Sequence, residues 1–263
     1  LVYLAITLAA SLSYKLGGMS WFDAITHGMT SSATGGFANY DASFGHFNDK
    51  PWLLWLASLW MTLAALPFVL FVGMAKGDTW ALLRDPQVKA FLAIVVMVAL
   101  LLSLYQVWHH QRPWWDALTH SVFNVISVIT TCGYASEDYT LWGSMAVVLF
   151  FYLTFCGGCS GSTSGGLKIF RTQLAGYLLL KQFNLLIHPN AVWTQKYGSK
   201  KVDDSLLGAV LAFAFIYFAT IAFIAMALSF CELDLVTAVT GAATAVANVG
   251  PGLGSIIGPA GNF

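Results

Sequence analysis

Long apolar runs alternate with shorter stretches of mixed character along these 263 residues. A helix needs about 20 apolar residues to cross the hydrocarbon core of a bilayer. Four runs are read as spans: residues 51–73, 90–108, 141–156 and 205–230. Residues 1–16 read as the remainder of another. Residues 177–187 are apolar but short, carry Lys181 and end before His188, and are read as an interfacial or partly buried segment. Between the spans lie three stretches of a different kind, residues 20–40, 113–136 and 234–255. They are rich in Thr, Ser, Ala and Gly, too polar for ordinary spans, and each ends in a glycine-containing turn. Segments that enter a membrane and turn back have this character.

Composition supports lipid as the main solvent. Hydrophobic residues make up 58% and charged residues only 9%, against about 25% charged in a soluble domain. Formal net charge is zero, so no basic field points to nucleic acid. The charges are sorted along the chain. Lys76, Arg84 and Lys89 lie in linker 75–89, and Lys168, Arg171, Lys181, Lys196, Lys200 and Lys201 in linker 167–204. These linkers are expected on the cytoplasmic side. The opposite side holds Asp23, Asp41, Asp49, Asp116, Glu137, Asp138, Glu232 and Asp234, which would concentrate cations at an outer mouth.

The mixed stretches repeat. Trp21-Phe-Asp-Ala-Ile-Thr-His27 returns as Trp114-Trp-Asp-Ala-Leu-Thr-His120, and more distantly as Asp234-Leu-Val-Thr-Ala-Val-Thr240. Each copy leads to a glycine turn: Ala33-Thr-Gly-Gly-Phe37, Thr130-Thr-Cys-Gly-Tyr134 and Ala247-Asn-Val-Gly-Pro-Gly252. The unit reads span, re-entrant loop, span, in parallel rather than inverted repeats. Each loop is expected to open with a short helix. Ser20 caps the first with Asp23 three residues on, Pro113 suits the first helical position of the second, and Asp234 caps the third. The negative helix C-termini then face the turns. Glycine permits positive φ, so successive carbonyls can face one way and replace a cation's water shell.

Residues 156–166, Cys-Gly-Gly-Cys-Ser-Gly-Ser-Thr-Ser-Gly-Gly, interrupt the helix pattern after the span ending near Phe155. Five glycines among eleven residues make a poor helix, and such backbone is tolerated at membrane depth only where buried or lining water. It is read as an obstruction beneath the turns that can be moved aside. The Gly-x-x-x-x-Gly-Lys spacing of a phosphate loop is missing. Lys168 and Arg171 follow; they either face the ion path as a positive barrier or snorkel to headgroups, the second being preferred. Cys156 and Cys159 have redox spacing but no second ligand pair, so small residues in a packed segment are the favoured reading and a membrane redox protein the alternative. The four spans contain no carboxylate, against an ion-coupled carrier. His27 and His120 sit at matching places in the repeat and are expected to hydrogen-bond at the mouth. Trp52, Trp55, Trp80, Trp108, Trp114, Trp115 and Trp142 are expected as interfacial anchors.

On these motifs, and on Gly157 through Lys168, the chain resembles the Trk/Ktr/HKT superfamily of potassium translocators, most of all the bacterial TrkH/TrkG type. The resemblance implies an all-α polytopic membrane protein, not an enzyme, with span–pore loop–span units placed pseudo-four-fold about a central pore. Residues 1–75, 76–190 and 191–263 correspond to the second, third and fourth units, with the first unit and the closing span outside the sequence. It implies a K⁺ filter made by Thr34, Gly35, Gly36, Thr130, Thr131, Cys132, Gly133, Asn248, Val249 and Gly250. It implies a gating loop of Gly157, Gly158, Ser160, Gly161, Ser162, Thr163, Ser164, Gly165 and Gly166. It further implies K⁺ as the bound transported ion with no organic cofactor, a homodimer, a cytoplasmic nucleotide-binding ring partner of the TrkA or KtrA kind, and a bacterial inner membrane. In such proteins a Gly or Ser in the first unit's filter separates K⁺-preferring from Na⁺-conducting members, which leaves a Na⁺-conducting or Na⁺/K⁺-coupled member as the alternative.

Overall fold

The computed structural model describes residues 1–188, 196–197, 200–254 and 256–259, the side chains of 196, 200, 201 and 204 excepted. Three of the basic residues assigned to the cytoplasmic side, Lys196, Lys200 and Lys201, therefore lie outside the described side chains, and Ser255 outside the described residues.

Helices α1 (Val2–Leu16), α2 (Trp21–Ser32), α3 (Pro51–Ala64) and α4 (Phe68–Ala75) come first. After α5 (Ala81–Arg84) follow α6 (Pro86–His110), α7 (Trp114–Ile129), α8 (Ser144–Cys156) and α9 (Ile169–Ile187). A two-residue antiparallel ladder, Lys196–Tyr197 with Lys200–Lys201, precedes α10 (Asp204–Ser229) and α11 (Leu235–Ala247). Only α6 and α10 are single helices long and apolar enough to cross a membrane among the described residues. Asp85 starts α6 by accepting from the N–H groups of Gln87 and Val88 at 2.8 and 3.3 Å, with Pro86 at the first position. Its 25 residues reach about 37 Å at 1.5 Å each.

Four expectations are corrected. Residues 51–73 are not one straight span: α3 and α4 meet at 90°. Pro67 has no N–H to continue the helix, and the carbonyls it leaves free are taken by another segment. The span expected over 141–156 starts only at Ser144, because Tyr139–Trp142 form a 3-10 turn and Gly143 adopts φ 105°. Residues 177–187 form the second half of α9, which leaves their reading as an interfacial or partly buried segment standing. Pro113 stands at the N-cap of α7 rather than inside its first turn. Trp142 is also buried rather than interfacial; it packs at 5.8 Å from Phe150.

The short helices α2 and α7 lie against the spans. A Cβ on Gly28 would overlap Ser11 Oγ, so glycine is what lets α2 press on α1. Tyr14 Oη pairs with Ser31 Oγ at 2.8 Å across the same contact. The main apolar core joins α1, α3, α6, α7 and α8, with Tyr134, Phe44 and Phe123 at its centre; α10 packs on α11 in a smaller cluster through Tyr217 and Ala243.

Candidate functional site

Three helix ends share one backbone design. At the end of α2, Thr34 N–H donates to Ser31 O and Gly35 N–H to Thr30 O, at 3.3 and 2.8 Å. After α7, Thr131 donates to Val128 O and Cys132 to Ser127 O, at 3.0 and 2.9 Å. After α11, Asn248 donates to Ala245 O and Val249 to Thr244 O, at 3.3 and 2.9 Å. This pair of bonds is the Schellman ending, whose left-handed residue is usually glycine. Here it is Thr34 (φ 50°), Thr131 (φ 58°) and Asn248 (φ 61°), and two residues later Gly36 (φ 66°), Gly133 (φ 90°) and Gly250 (φ 98°) are left-handed again. A positive φ is uncommon for threonine, yet two of the three turns accept it.

The turns touch in order. A Cβ on Gly36 would overlap the carbonyl oxygen of Cys132, and one on Gly133 that of Val249. Glycine is required at both by close approach as well as by φ. Tyr134 fixes the first contact from behind: its hydroxyl pairs with Thr30 Oγ1, and its ring lies 5.0 Å from Phe44. Thr130, at the C-cap of α7, is buried beside them.

The glycine-rich loop lies beneath. Gly165 N–H donates to Thr131 Oγ1 at 2.7 Å, and Ser164 Oγ sits 3.3 Å from the same hydroxyl. Ser164 Oγ also accepts from Gly158 N–H, and Ser162 Oγ donates to Cys159 O. On its far side the loop fills the α3–α4 break. Cys159 N–H donates to Ala65 O at 2.9 Å, Thr163 N–H and Oγ1 both reach Ala64 O, and Phe68 N–H donates to Gly161 O at 3.0 Å. Thr163 Oγ1 bonds Ser32 O as well, and Ser160 N–H reaches Gln87 Oε1 at 2.8 Å. Gly157 and Gly166 face each other with positive φ.

Lys168 and Arg171 join no turn. Lys168 caps α9 with φ 64°. The Arg171 guanidinium lies 4.0 Å from the Phe213 ring centre on α10 and donates to Leu167 O. Cys156 Sγ points back at Tyr152 O and Cys159 is buried in the core, a geometry without a facing dithiol. No cluster of three His, Cys, Asp or Glu occurs among the described residues.

His120, expected from the sequence to hydrogen-bond, does so, and Asn124 and Arg112, which sequence reasoning missed, join it in holding the segment past the second turn. Asn124 Nδ2 and His120 Nδ1 both meet Ser136 Oγ at 2.8 Å, and Asn124 Oδ1 accepts from Ser136 N–H at 3.2 Å. Arg112 grips Glu137 with Nη1 at 2.5 Å and Nη2 at 2.8 Å. Burial alone would raise the Glu137 carboxyl, but the Arg112 hydrogen bonds and His120 outweigh it and hold it below its ordinary value. His27 and His120 are not matched when counted from the turn. Helix α7 has 16 residues against 12 in α2, one turn more, so His27 corresponds to Asn124. His27 is buried against Phe44 and Phe47, with Nδ1 2.8 Å from Asp23 O, not at a mouth.

The family model described as "TrkH: Cation transport protein" matches residues 1–261. The chain belongs to the TrkH family. It is 53% identical over 262 residues to the Trk system potassium uptake protein TrkI of Halomonas elongata, covering 100% of this chain and 53% of the relative. It is 32% identical to TrkH of Vibrio parahaemolyticus, over 97% of this chain and 53% of that one. The crystal structure of the potassium transporter TrkH from Vibrio parahaemolyticus superposes with a TM-score of 0.92 at 31% identity, covering 98% of this chain and 56% of the other. The chain thus spans about half the length of the curated relatives it matches. Family and apolar helices together make this TrkH-family chain a multi-pass integral membrane protein.

Proposed function

We propose that the chain forms three quarters of a K⁺-conducting pore in a bacterial inner membrane, as part of a potassium uptake system. Residues 1–75, 76–190 and 191–263 are taken as three consecutive units of a pseudo-four-fold ring. The filter comprises Thr34–Gly36, Thr130–Gly133 and Asn248–Gly250, and Gly157–Gly166 is the gate. One observation carries this reading: three Schellman endings with left-handed residues at the same two places, packed in sequence order at the C-termini of three short helices. Alternation of left-handed and ordinary φ turns carbonyls to a common side, and helix C-termini add partial negative charge there. Both favour a desolvated cation.

The loop supports the gate reading because it contacts Thr131 directly and is held largely by hydrogen bonds of its main chain and small hydroxyl side chains, with no large side chain of its own packed in the core. Names of the relatives favour potassium as cargo. A homodimer and a cytoplasmic nucleotide-binding ring partner follow from the family resemblance. The test is Rb⁺ and Na⁺ uptake by the intact protein in a host lacking its own K⁺ uptake. Rb⁺ uptake that K⁺ competes and Na⁺ does not is expected. Equal Na⁺ competition would favour a Na⁺-conducting member, and uptake abolished by Cys156→Ser with Cys159→Ser would favour redox chemistry.

A further inference from the structure

Counting back eleven residues from each left-handed turn residue reaches Asp23, His120 and Thr237. All three face the same part of their own unit, the fifth and sixth residues beyond the turn residue. Asp23 Oδ1 accepts from Asn39 Nδ2 at 2.9 Å, and Oδ2 accepts from Tyr40 Oη at 3.1 Å. His120 Nδ1 meets Ser136 Oγ at 2.8 Å and lies 3.9 Å from Glu137. Thr237 packs so close to Gly254 that a Cβ there would overlap its hydroxyl, but among the described residues that buried hydroxyl makes no hydrogen bond to the exit segment, so the bonded contact of the third unit is Thr240's. The next helical turn adds a second contact in each unit. Thr26 Oγ1 accepts from Asn39 Nδ2 at 2.7 Å, Asn124 pairs with Ser136, and Thr240 Oγ1 accepts from Leu253 N–H at 3.2 Å.

Capping does not require these contacts. Asp23 already closes the N-terminus of α2 with Ser20, whose Oγ accepts from Asp23 N–H at 3.0 Å. Its carboxylate is nevertheless buried and takes two further donors from the chain leaving the turn. A buried carboxylate is costly unless so satisfied. The recurring partner is the exit segment, while the chemistry changes from carboxylate to imidazole to hydroxyl.

We propose that Asp23, His120 and Thr237, with Thr26, Asn124 and Thr240 one turn on, are positioning residues that fix the exit of each turn and so set its discrimination between K⁺ and Na⁺. The proposal rests on the filter reading above. A turn anchored only at its helix end can shrink around a smaller ion; a second anchor five residues on holds the carbonyl spacing. The carboxylate clamp of the first turn is the firmest and the hydroxyl clamp of the third the weakest.

The test uses the intact protein at matched membrane abundance and reads the Rb⁺ to Na⁺ uptake ratio. Asp23→Asn removes the charge and one of the two acceptors, leaving either Asn39 Nδ2 or Tyr40 Oη without its carboxylate oxygen, and Asn39→Asp sets two carboxylates together. Each is expected to lower the ratio by about threefold to tenfold, the range of one ordinary lost hydrogen bond. The double variant restores a donor–acceptor pair in reverse and is expected to recover the ratio to within about twofold. Where the Asp23 variants do not accumulate, the near-isosteric Thr240→Val decides, with an expected drop of about twofold to threefold. An unchanged ratio in these variants, or a loss of both ions' uptake in proportion without recovery in the double, overturns the clamp. Gly133→Ser separates the two claims: if it too leaves the ratio unchanged, the filter reading itself fails.

Discussion

The turn after α7 and the turns on either side of it have the same backbone but different surroundings. Thr130 to Ser136 are buried throughout. In the flanking turns Ala33 and Phe37, or Asn248 and Gly250, are exposed. The difference is one of neighbours, because the middle turn has another on each side and the outer two have one each. Each of these turns is therefore finished by its neighbour, and its own sequence supplies only the bend.

That comparison is broken most sharply at glycine. Gly133→Ser forces a side chain into the Val249 carbonyl at φ 90°, and is expected to remove most discrimination between Rb⁺ and Na⁺, at least about tenfold in the uptake ratio, consistent with strain of 1–3 kcal/mol or about that. Gly250 meets nothing nearby among the described residues. If a further unit closes the ring, Gly250→Ser in the intact protein matches Gly133→Ser; an effect several times smaller would show that no equivalent carbonyl stands beside it. Next in size is Thr131→Val, which strips the hydroxyl that holds Gly165 and Ser164. Basal Rb⁺ flux is expected to rise about fivefold, the effect of losing about 1 kcal/mol of loop docking. Thr34→Val, whose hydroxyl donates to Ala33 O and meets no residue of the loop, is the comparison in the same assay and is expected to lack that rise.

The smallest effect lies at the exit of the middle turn. Glu137→Gln leaves Arg112 with a weaker acceptor in a partly exposed pair and should destabilise the protein in detergent by about 0.5 kcal/mol, read as a slightly lowered melting temperature. The Glu137 carboxyl sits below its ordinary value. Its contribution is therefore complete above the usual carboxylate range, near about 4.3, and is lost as pH falls through the lower folded value. The difference between wild type and Glu137→Gln should shrink on acidification below about pH 4; a gap that stays constant would remove Glu137 as its source.

Much of this architecture is legible in periodicity and punctuation. The apolar runs that became α6 and α10 were long and uninterrupted, and Ser20, Asp23 and Asp234 announced the starts of α2 and α11 with the capping bonds now seen. The turns were legible because glycine spacing constrains φ locally. What stayed hidden depends on contacts between distant segments. Pro67 marks a possible kink, but nothing local says that residues 159–163 supply the missing partners and let it open to a right angle. The extra turn in α7 was masked because the Trp-x-Asp match was aligned from the front, which paired His27 with His120 instead of Asn124. Asn124 and Asn39 are ordinary polar residues whose importance lies in what they face across their own loop.

The break between α3 and α4 carries one more consequence. Phe68 N–H and Ala64 C=O are four residues apart, the pair that a continuous helix would join to each other. In this conformation both are lent out, Phe68 to Gly161 and Ala64 to Thr163. Were the loop to withdraw and the bend to open, Phe68 N–H and Ala64 C=O could bond each other, so that part of the loss would be offset within the helix. A latch built this way would ask less of whatever moves it than one whose backbone groups had no second partner waiting.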